Sequence, residues 1–248
     1  PAWDLAAGLT ISTSLLAAER RRSRTGSGAS IALSLLDVAL WSTANLGYVG
    51  EAAANGVDRA RSGNQIFGTF GQTFETQDGK WVMLCMFTGR HVKAVRDLMG
   101  GDGAFDRIEA RYGVKLEDEA ARYETRDDLE AIVRPWIASR PFAAVAEALE
   151  GAGALWAPYQ TFRQALSDPY LYGDNPMFQT VAQPSLGGAA FPIPGAPMWF
   201  QDVQRLPPKP APMFGEHTDQ VLAEVLGLAS GQIGALHDKG VVKGVAKS

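Results

Sequence analysis

RSGNQIFGTFGQTFETQDGKWVMLCMF, residues 61–87, is the stretch on which the fold turns. Its second half, KWVMLCMF (80–87), is a short apolar run with aromatic and β-branched members and reads as a buried strand. QDG (77–79) ahead of it is a hairpin-turn signal. The segment FGTFGQ (67–72) has two readings. It is a tight turn before a strand, or it is a lid whose bare backbone approaches a ligand.

Outward from this stretch the pattern is mostly helical. Upstream, Leu5, Leu9, Leu15, Leu16, Ala17 and Ala18 predict a helix over 5–22, ended by Gly26 and Gly28. Ala6, Ala7, Gly8, Ser12 and Ser14 are small enough to let a neighbouring backbone come close. ASIALSLL (29–36) reads as a short buried strand running into a second apolar helix through ANLGYV (44–49), closed by Gly56 and Asp58. Downstream, 90–99 predicts a helix ended by the double glycine at 100–101. Residues 103–150 are charged and amphipathic, with Pro135 and Pro141 marking helix starts or kinks. LWAPYQTF (155–162) is a connector into a short helix at QALSDPYL (164–171). Residues 175–212 are rich in Pro and Gly and read as extended segments and turns. GEHTDQVLAEVLGLASGQIGALHDKGVV (215–242) reads as helix, glycine break, helix.

The class is therefore α/β, but its first part is unbalanced. Residues 1–58 offer one short strand flanked by helices, whereas a doubly wound sheet needs several parallel strands joined by crossover helices. Either the chain is part of such a sheet or something else completes the sheet.

Composition narrows the function. The 248 residues are 46% hydrophobic and 20% charged, with a formal net charge of −4. Mild acidity argues against a nucleic-acid footprint. The basic cluster Arg20, Arg21, Arg22 and Arg24 falls at the end of the first helix and complements its dipole, with phosphate steering as the alternative. Cys85 is the sole cysteine and reads as a small buried hydrophobe, which fits a reducing, cytoplasmic setting. No apolar run reaches the roughly 18–20 residues of a membrane span. The three histidines, His91, His217 and His237, have no metal-ligand spacing, so no metal is expected. Neither GxSxG, GxGxxG nor GK[ST] is present, which speaks against a serine hydrolase, a dinucleotide fold and a phosphate loop.

Carboxylates and the glycine segment remain. Asp4, in PAWD (1–4), sits where an N-cap belongs and accepts from backbone N–H groups in that role. A carboxylate can also attack an acyl compound and form an anhydride. The residues alone leave both roles open.

Four stretches together resemble one family. PAWD followed by a helix and RRSRTGSG (21–28) resembles the segment around the nucleophilic aspartate of class III CoA-transferases, the formyl-CoA and carnitine CoA-transferase family. RSGNQIFGTFGQTFETQDGKWVML looks like its glycine-rich active-site loop and following strand. WAPYQTFRQALSDP (156–169) looks like its connector back to a large domain. PAPMFGEHTDQVLAEVLGL (210–228), with ALHDKGVV (235–242), is similar to its C-terminal signature. Within the family, PAWD, FGTFG with FETQDGK, WAPY, DNPMF, and RLP with PAPMFGEHTD look like the branch that moves CoA from C1 to C4 of 2-methylfumaryl-CoA (mesaconyl-CoA).

The resemblance implies a C-terminal portion of that fold. Residues 1–60 would end a Rossmann-like large domain, 61–165 would form a small α+β domain, and 166–248 would be the return linker and C-terminal helices. Asp4 would be the nucleophile. Gly68, Thr69, Phe70, Gly71 and Gln72 would form the lid over the acyl group, and Glu216 and His217 would stand near the site or serve as a turn and cap. An acyl-CoA and a dicarboxylic acid would be the substrates, with no further cofactor. The partners implied are a second copy, in an interlocked dimer, and an N-terminal Rossmann half from another segment or chain. Two rivals remain. An α-methylacyl-CoA racemase on the same fold would carry an acid where this chain has Thr88. An inactive fragment would need a separate N-terminal chain.

Overall fold

The computed structural model describes residues 1–245. The chain divides into two compact units, one spanning Pro1–Gln72 and a second beginning at Thr73.

The first unit is built on three helices: α1 (Ala2–Thr25), α2 (Leu35–Asn45) and α3 (Tyr48–Asn55). Gly26, with φ of 73°, ends α1 and donates its N–H to the Arg22 carbonyl. A left-handed residue closes the last turn at little cost only when it has no Cβ. Arg21 and Arg22 of the basic cluster are engaged locally. Glu19 accepts two 2.7 Å hydrogen bonds from Arg22, and Arg21 donates to the Gly28 carbonyl at 2.8 Å. Of the small residues on α1, Ala7 is buried. Gly8 has open space within this chain where a Cβ would stand.

The strand expected over 29–36 does not form. Residues 29–34 hold no regular element, and Leu35 and Leu36 already belong to α2. The Ser34 hydroxyl accepts the Asp37 N–H at 3.3 Å and caps that helix. A lone apolar run cannot satisfy its backbone groups as a strand without a neighbour. The serine, with an acidic residue three positions on, decided the local structure instead.

The second unit is organised around a sheet of order β1-β2-β3, from β1 (Phe70–Glu75), β2 (Trp81–Met86) and β3 (Leu155–Pro158). β1 opens at the end of the first unit and runs into the second. QDG makes the expected turn between β1 and β2. Gly79 has φ of 74°, and its N–H reaches the Thr76 carbonyl at 3.0 Å. β2 and β3 run antiparallel, with Leu84 opposite Trp156. WAP therefore belongs to an edge strand rather than to a plain connector.

Helices α4 (Gly89–Met99), α5 (Ala104–Tyr112), α6 (Glu119–Glu124), α7 (Arg126–Ala138) and α8 (Phe142–Gly151) accompany the sheet. Val92, Val95 and Met99 repeat at i, i+3 and i+7 on α4 and are all buried. Val82, Leu84, Met86, Leu129, Val133, Ile137, Val145 and Leu149 are among the buried core side chains. Gly100 cannot carry a side chain, because a Cβ there would lie 2.5 Å from the Arg96 carbonyl and 2.9 Å from Phe105. Pro141 precedes α8, and Pro135 lies inside α7.

Past β3 come α9 (Phe162–Ala165), then β4 (Phe178–Gln183) and β5 (Ala189–Pro194), which pair antiparallel with Val181 opposite Phe191. The stretch read as extended is thus partly a hairpin. Pro192 and Pro194 fit its β5 strand, which pairs on one side only. Helices α10 (Thr218–Glu224) and α11 (Ser230–Asp238) follow. Among the described residues no helix is long and apolar enough to cross a membrane.

Candidate active site

Asp4 is not the cap of α1. The helix begins one turn earlier than the sequence suggests, at Ala2, and the Leu5 N–H already bonds the Pro1 carbonyl at 3.1 Å. Asp4 lies in the first helical turn, where the macrodipole favours negative charge. Its side chain is 71% exposed, and one oxygen stands 3.3 Å from the Pro1 nitrogen.

The segment 68–72 is not one loop. Gly68 turns with φ of 86°, while Phe70, Gly71 and Gln72 form the start of β1. Thr69 and Phe70 are buried at 3% and 2% exposure. The Ile66 N–H donates to the Gly71 carbonyl at 2.9 Å and closes the turn on itself. α3 and the residues after it line a depression of about 660 Å³ whose walls include Tyr48, Glu51, Arg59, Arg61 and Asn64.

The far end of the hairpin is anchored by Asp78. The carboxylate accepts from the Thr76 hydroxyl at 2.7 Å and from the Phe142 N–H, at the start of α8, at 2.8 Å. The Thr76 bond first, and the Phe142 bond next, hold this carboxyl below its ordinary range. Cys85 is buried as expected, and burial pushes its thiol upward, away from a reactive thiolate.

Glu216 and His217 sit in a turn of their own. The Glu216 carboxylate accepts the Met213 N–H at 2.6 Å, and the Glu216 N–H returns to the Met213 carbonyl at 3.0 Å. His217 precedes α10 without capping it through its side chain. Both line an open depression of about 630 Å³. The rest of GEHTD is clamped to the end of the chain. Thr218 Oγ1 donates to the Lys243 carbonyl at 2.9 Å, and a Cβ on Gly215 would lie 2.7 Å from that same oxygen. His237 Nε2 meets Asp219 Oδ1 at 2.7 Å.

Two residues escaped the sequence reading. Arg122 is buried at 1% exposure and donates to the carbonyls of Leu116, Glu117 and Phe87. Nothing in its helical context separates it from a surface arginine. Arg59 stacks on an aromatic ring immediately before Gly68, and only the packing reveals it. Among the described residues no group of three or more His, Cys, Asp or Glu is placed to hold a metal ion.

The profile of CoA-transferase family III matches residues 1–218. The chain belongs to this family. It is 43% identical over 245 residues to the 2-methylfumaryl-CoA isomerase of Chloroflexus aurantiacus, covering 98% of this chain and 59% of that relative. The succinyl-CoA:mesaconate CoA-transferase of Haloarcula marismortui is 26% identical over 89% of this chain and 52% of its own length. Among solved structures, a CAIB/BAIF family protein from Brucella suis superposes with a TM-score of 0.61 at 22% identity, over 88% of this chain and 53% of that one. The Rv3272 protein of Mycobacterium tuberculosis does so with a TM-score of 0.60 at 19% identity, over 86% and 53%. These neighbours support the mixed helix-and-sheet fold of the family. The chain spans between about half and three-fifths of each of these four proteins.

Proposed function

We propose that this chain carries the reacting carboxylate of an enzyme that moves CoA between carboxylates, and that its reaction is C1-to-C4 transfer on 2-methylfumaryl-CoA. One observation carries the reading: 43% identity across 98% of the chain to a 2-methylfumaryl-CoA isomerase. The exposed carboxylate of Asp4 supports it, because a nucleophile must reach the acyl carbon.

In this proposal an Asp4 oxygen attacks the thioester carbonyl and CoA leaves as the thiolate. The product is an aspartyl–acyl anhydride. The thiolate then attacks the aspartyl carbonyl, giving an aspartyl-CoA thioester and freeing the C1 carboxylate. The C4 carboxylate attacks that thioester and expels the thiolate again. Attack of the thiolate at C4 completes the transfer and returns Asp4 as a carboxylate. Each step exchanges one acyl–oxygen or acyl–sulfur bond for another, so CoA is a substrate and no further cofactor takes part. The Gly68 turn lets backbone approach the acyl group, and N–H groups there or the Gln72 amide steady the oxyanion. Exclusion of water protects the anhydride. Glu216 and His217 are proposed as supporting neighbours of this chemistry.

The proposal extends to partners. A Rossmann-like half, supplied by another segment or polypeptide, covers the apolar faces of α1 and α2, and two copies interlock. The exposure of Leu5, Leu9, Leu15, Leu16, Leu36 and Trp41, all above 60%, supports a covering partner.

The test is denaturing mass spectrometry of the native assembled protein after brief incubation with mesaconyl-CoA. An acyl or CoA adduct on the peptide that carries Asp4 is the expected result. Turnover of the substrate with no adduct on that peptide, even after rapid quenching, overturns the nucleophile assignment.

A further inference from the structure

The turn ahead of the glycine segment is held by a stacked guanidinium. Arg59 Cζ lies 3.8 Å from the centre of the Phe67 ring and 4.2 Å from that of Tyr48, so the cation is in contact with two aromatic rings. Tyr48 and Glu51 stand three residues apart on α3, on one helix face. The Glu51 carboxylate accepts from Arg59 Nε at 2.7 Å and also from a terminal guanidinium nitrogen. Both ionic partners are largely shielded, at 20% and 27% exposure. α3 therefore grips Arg59 by a ring and a carboxylate, and Arg59 grips Phe67, the residue directly before Gly68. The backbone from 56 to 69 has no regular element to hold it in place, so this stack connects the turn to a helix.

We infer that Arg59 is a positioning residue for the reaction: it fixes the Phe67–Gly68 turn, and so the backbone that follows, against α3. The inference rests on the reading of Gly68–Gln72 as the active-site segment. Lysine cannot replace arginine here, because a point charge lacks the planar face that lies on a ring and the fork that meets the carboxylate. A turn without this grip opens more often, admits water to the acyl-enzyme and aligns the oxyanion donors less often.

Hydrogen exchange on the native assembled protein reads the first half of the inference at one amide, the Ile66 N–H that closes the turn. Arg59→Ala is expected to speed its exchange at least about tenfold, the consequence of losing the stack and the ion pair together. Arg59→Lys falls between the two, and Phe67→Leu, which keeps apolar bulk without the ring, speeds exchange with Arg59 intact. Kinetics read the second half. In Arg59→Lys, kcat drops roughly tenfold with KM for the CoA substrate little changed, and the share of substrate lost to hydrolysis rises. Unchanged exchange at Ile66 in both Arg59→Lys and Phe67→Leu overturns the positioning inference and leaves the active-site reading standing. Faster exchange with kcat and hydrolysis unchanged overturns the active-site reading of 68–72, and with it the link from Arg59 to catalysis.

Discussion

The two units treat their apolar residues in opposite ways. In the second, Val82, Leu84, Met86, Leu129, Val133, Ile137, Val145 and Leu149 are fully buried. In the first, Leu5, Leu9, Leu15 and Leu16 on one helix are 66–73% exposed. Apolar content does not explain the contrast; spacing does. On α4 the buried residues follow one stripe, which packs against β2, α7 and α8. On α1, Leu5, Leu9 and Leu16 share one face, while Leu15 and Ile11 lie roughly 80–120° around the helix from it and are exposed too. A helix apolar on several sides suits a place enclosed on several sides. The difference teaches that the second unit carries its own hydrophobic core, while α1 has the pattern of a helix made to be surrounded.

This contrast can be tested by its largest consequence first. Asp4→Ala, in the exposed unit, is expected to lower CoA transfer by roughly a thousandfold or more. The melting temperature of the assembled protein should move by no more than a few degrees, since Asp4 does not cap α1. A large loss of stability with residual transfer would return Asp4 to a structural role.

Two core substitutions come next. Leu129→Ala removes a fully buried side chain and should cost about 3 kcal/mol in chemical denaturation. Arg122→Met should cost a similar amount, about 3 kcal/mol, because it strands three carbonyls that the guanidinium now serves. If either variant unfolds at the unchanged denaturant concentration, the second unit is not the stable body described above.

Leu9→Ala is the counterpart in the first unit. Leu9 is 72% exposed, so its loss should change the stability of this chain by less than about 0.5 kcal/mol. In the assembled protein the same substitution should cost several times more. Equal small effects in both would break the proposal that a partner covers α1.

The smallest effect concerns pH. Burial, followed by the charges of Arg90 and Arg122, holds the His91 imidazole below its usual pKa. The neutral ring accepts the Phe87 N–H at Nδ1, 3.3 Å away. Its contribution to stability is therefore present above about pH 6.5, the unfolded value, and is lost as pH falls through the lower folded one. His91→Asn keeps an acceptor and does not titrate. The fall in melting temperature between pH 7 and pH 5 should be shallower in that variant, by calorimetry.

Much of the fold was legible. The β2 strand, the QDG turn, the amphipathic helix ended by Gly100 and the helix–glycine–helix close all follow from local pattern. The misreadings had a common cause. ASIALSLL has strand-like residues, yet strands form against strands, and the Ser34 cap drew Leu35 and Leu36 into a helix. WAP has too few residues to announce itself, and it became a strand because β2 offered an edge. Asp4 looked like a cap because its residue type favours that place, but Ala2 and Trp3 continue the helix beyond it.

Residue identity alone determined the family pattern: PAWD, the glycine segment, the connector and GEHT in that order. It also determined most helices and the hairpin, because capping, periodicity and turn chemistry act over a few neighbouring residues. Tertiary structure alone decided that Arg59 lies between Tyr48 and Phe67, that Arg122 is buried among three carbonyls, and that Thr218 meets Lys243. These contacts join residues that lie up to 35 positions apart, as Arg122 and Phe87 do. No local rule encodes them. A side chain's partner across such a distance depends on where packing brings the backbone, and hydrophobic burial, which drives that packing, is proportional to area and has no direction of its own.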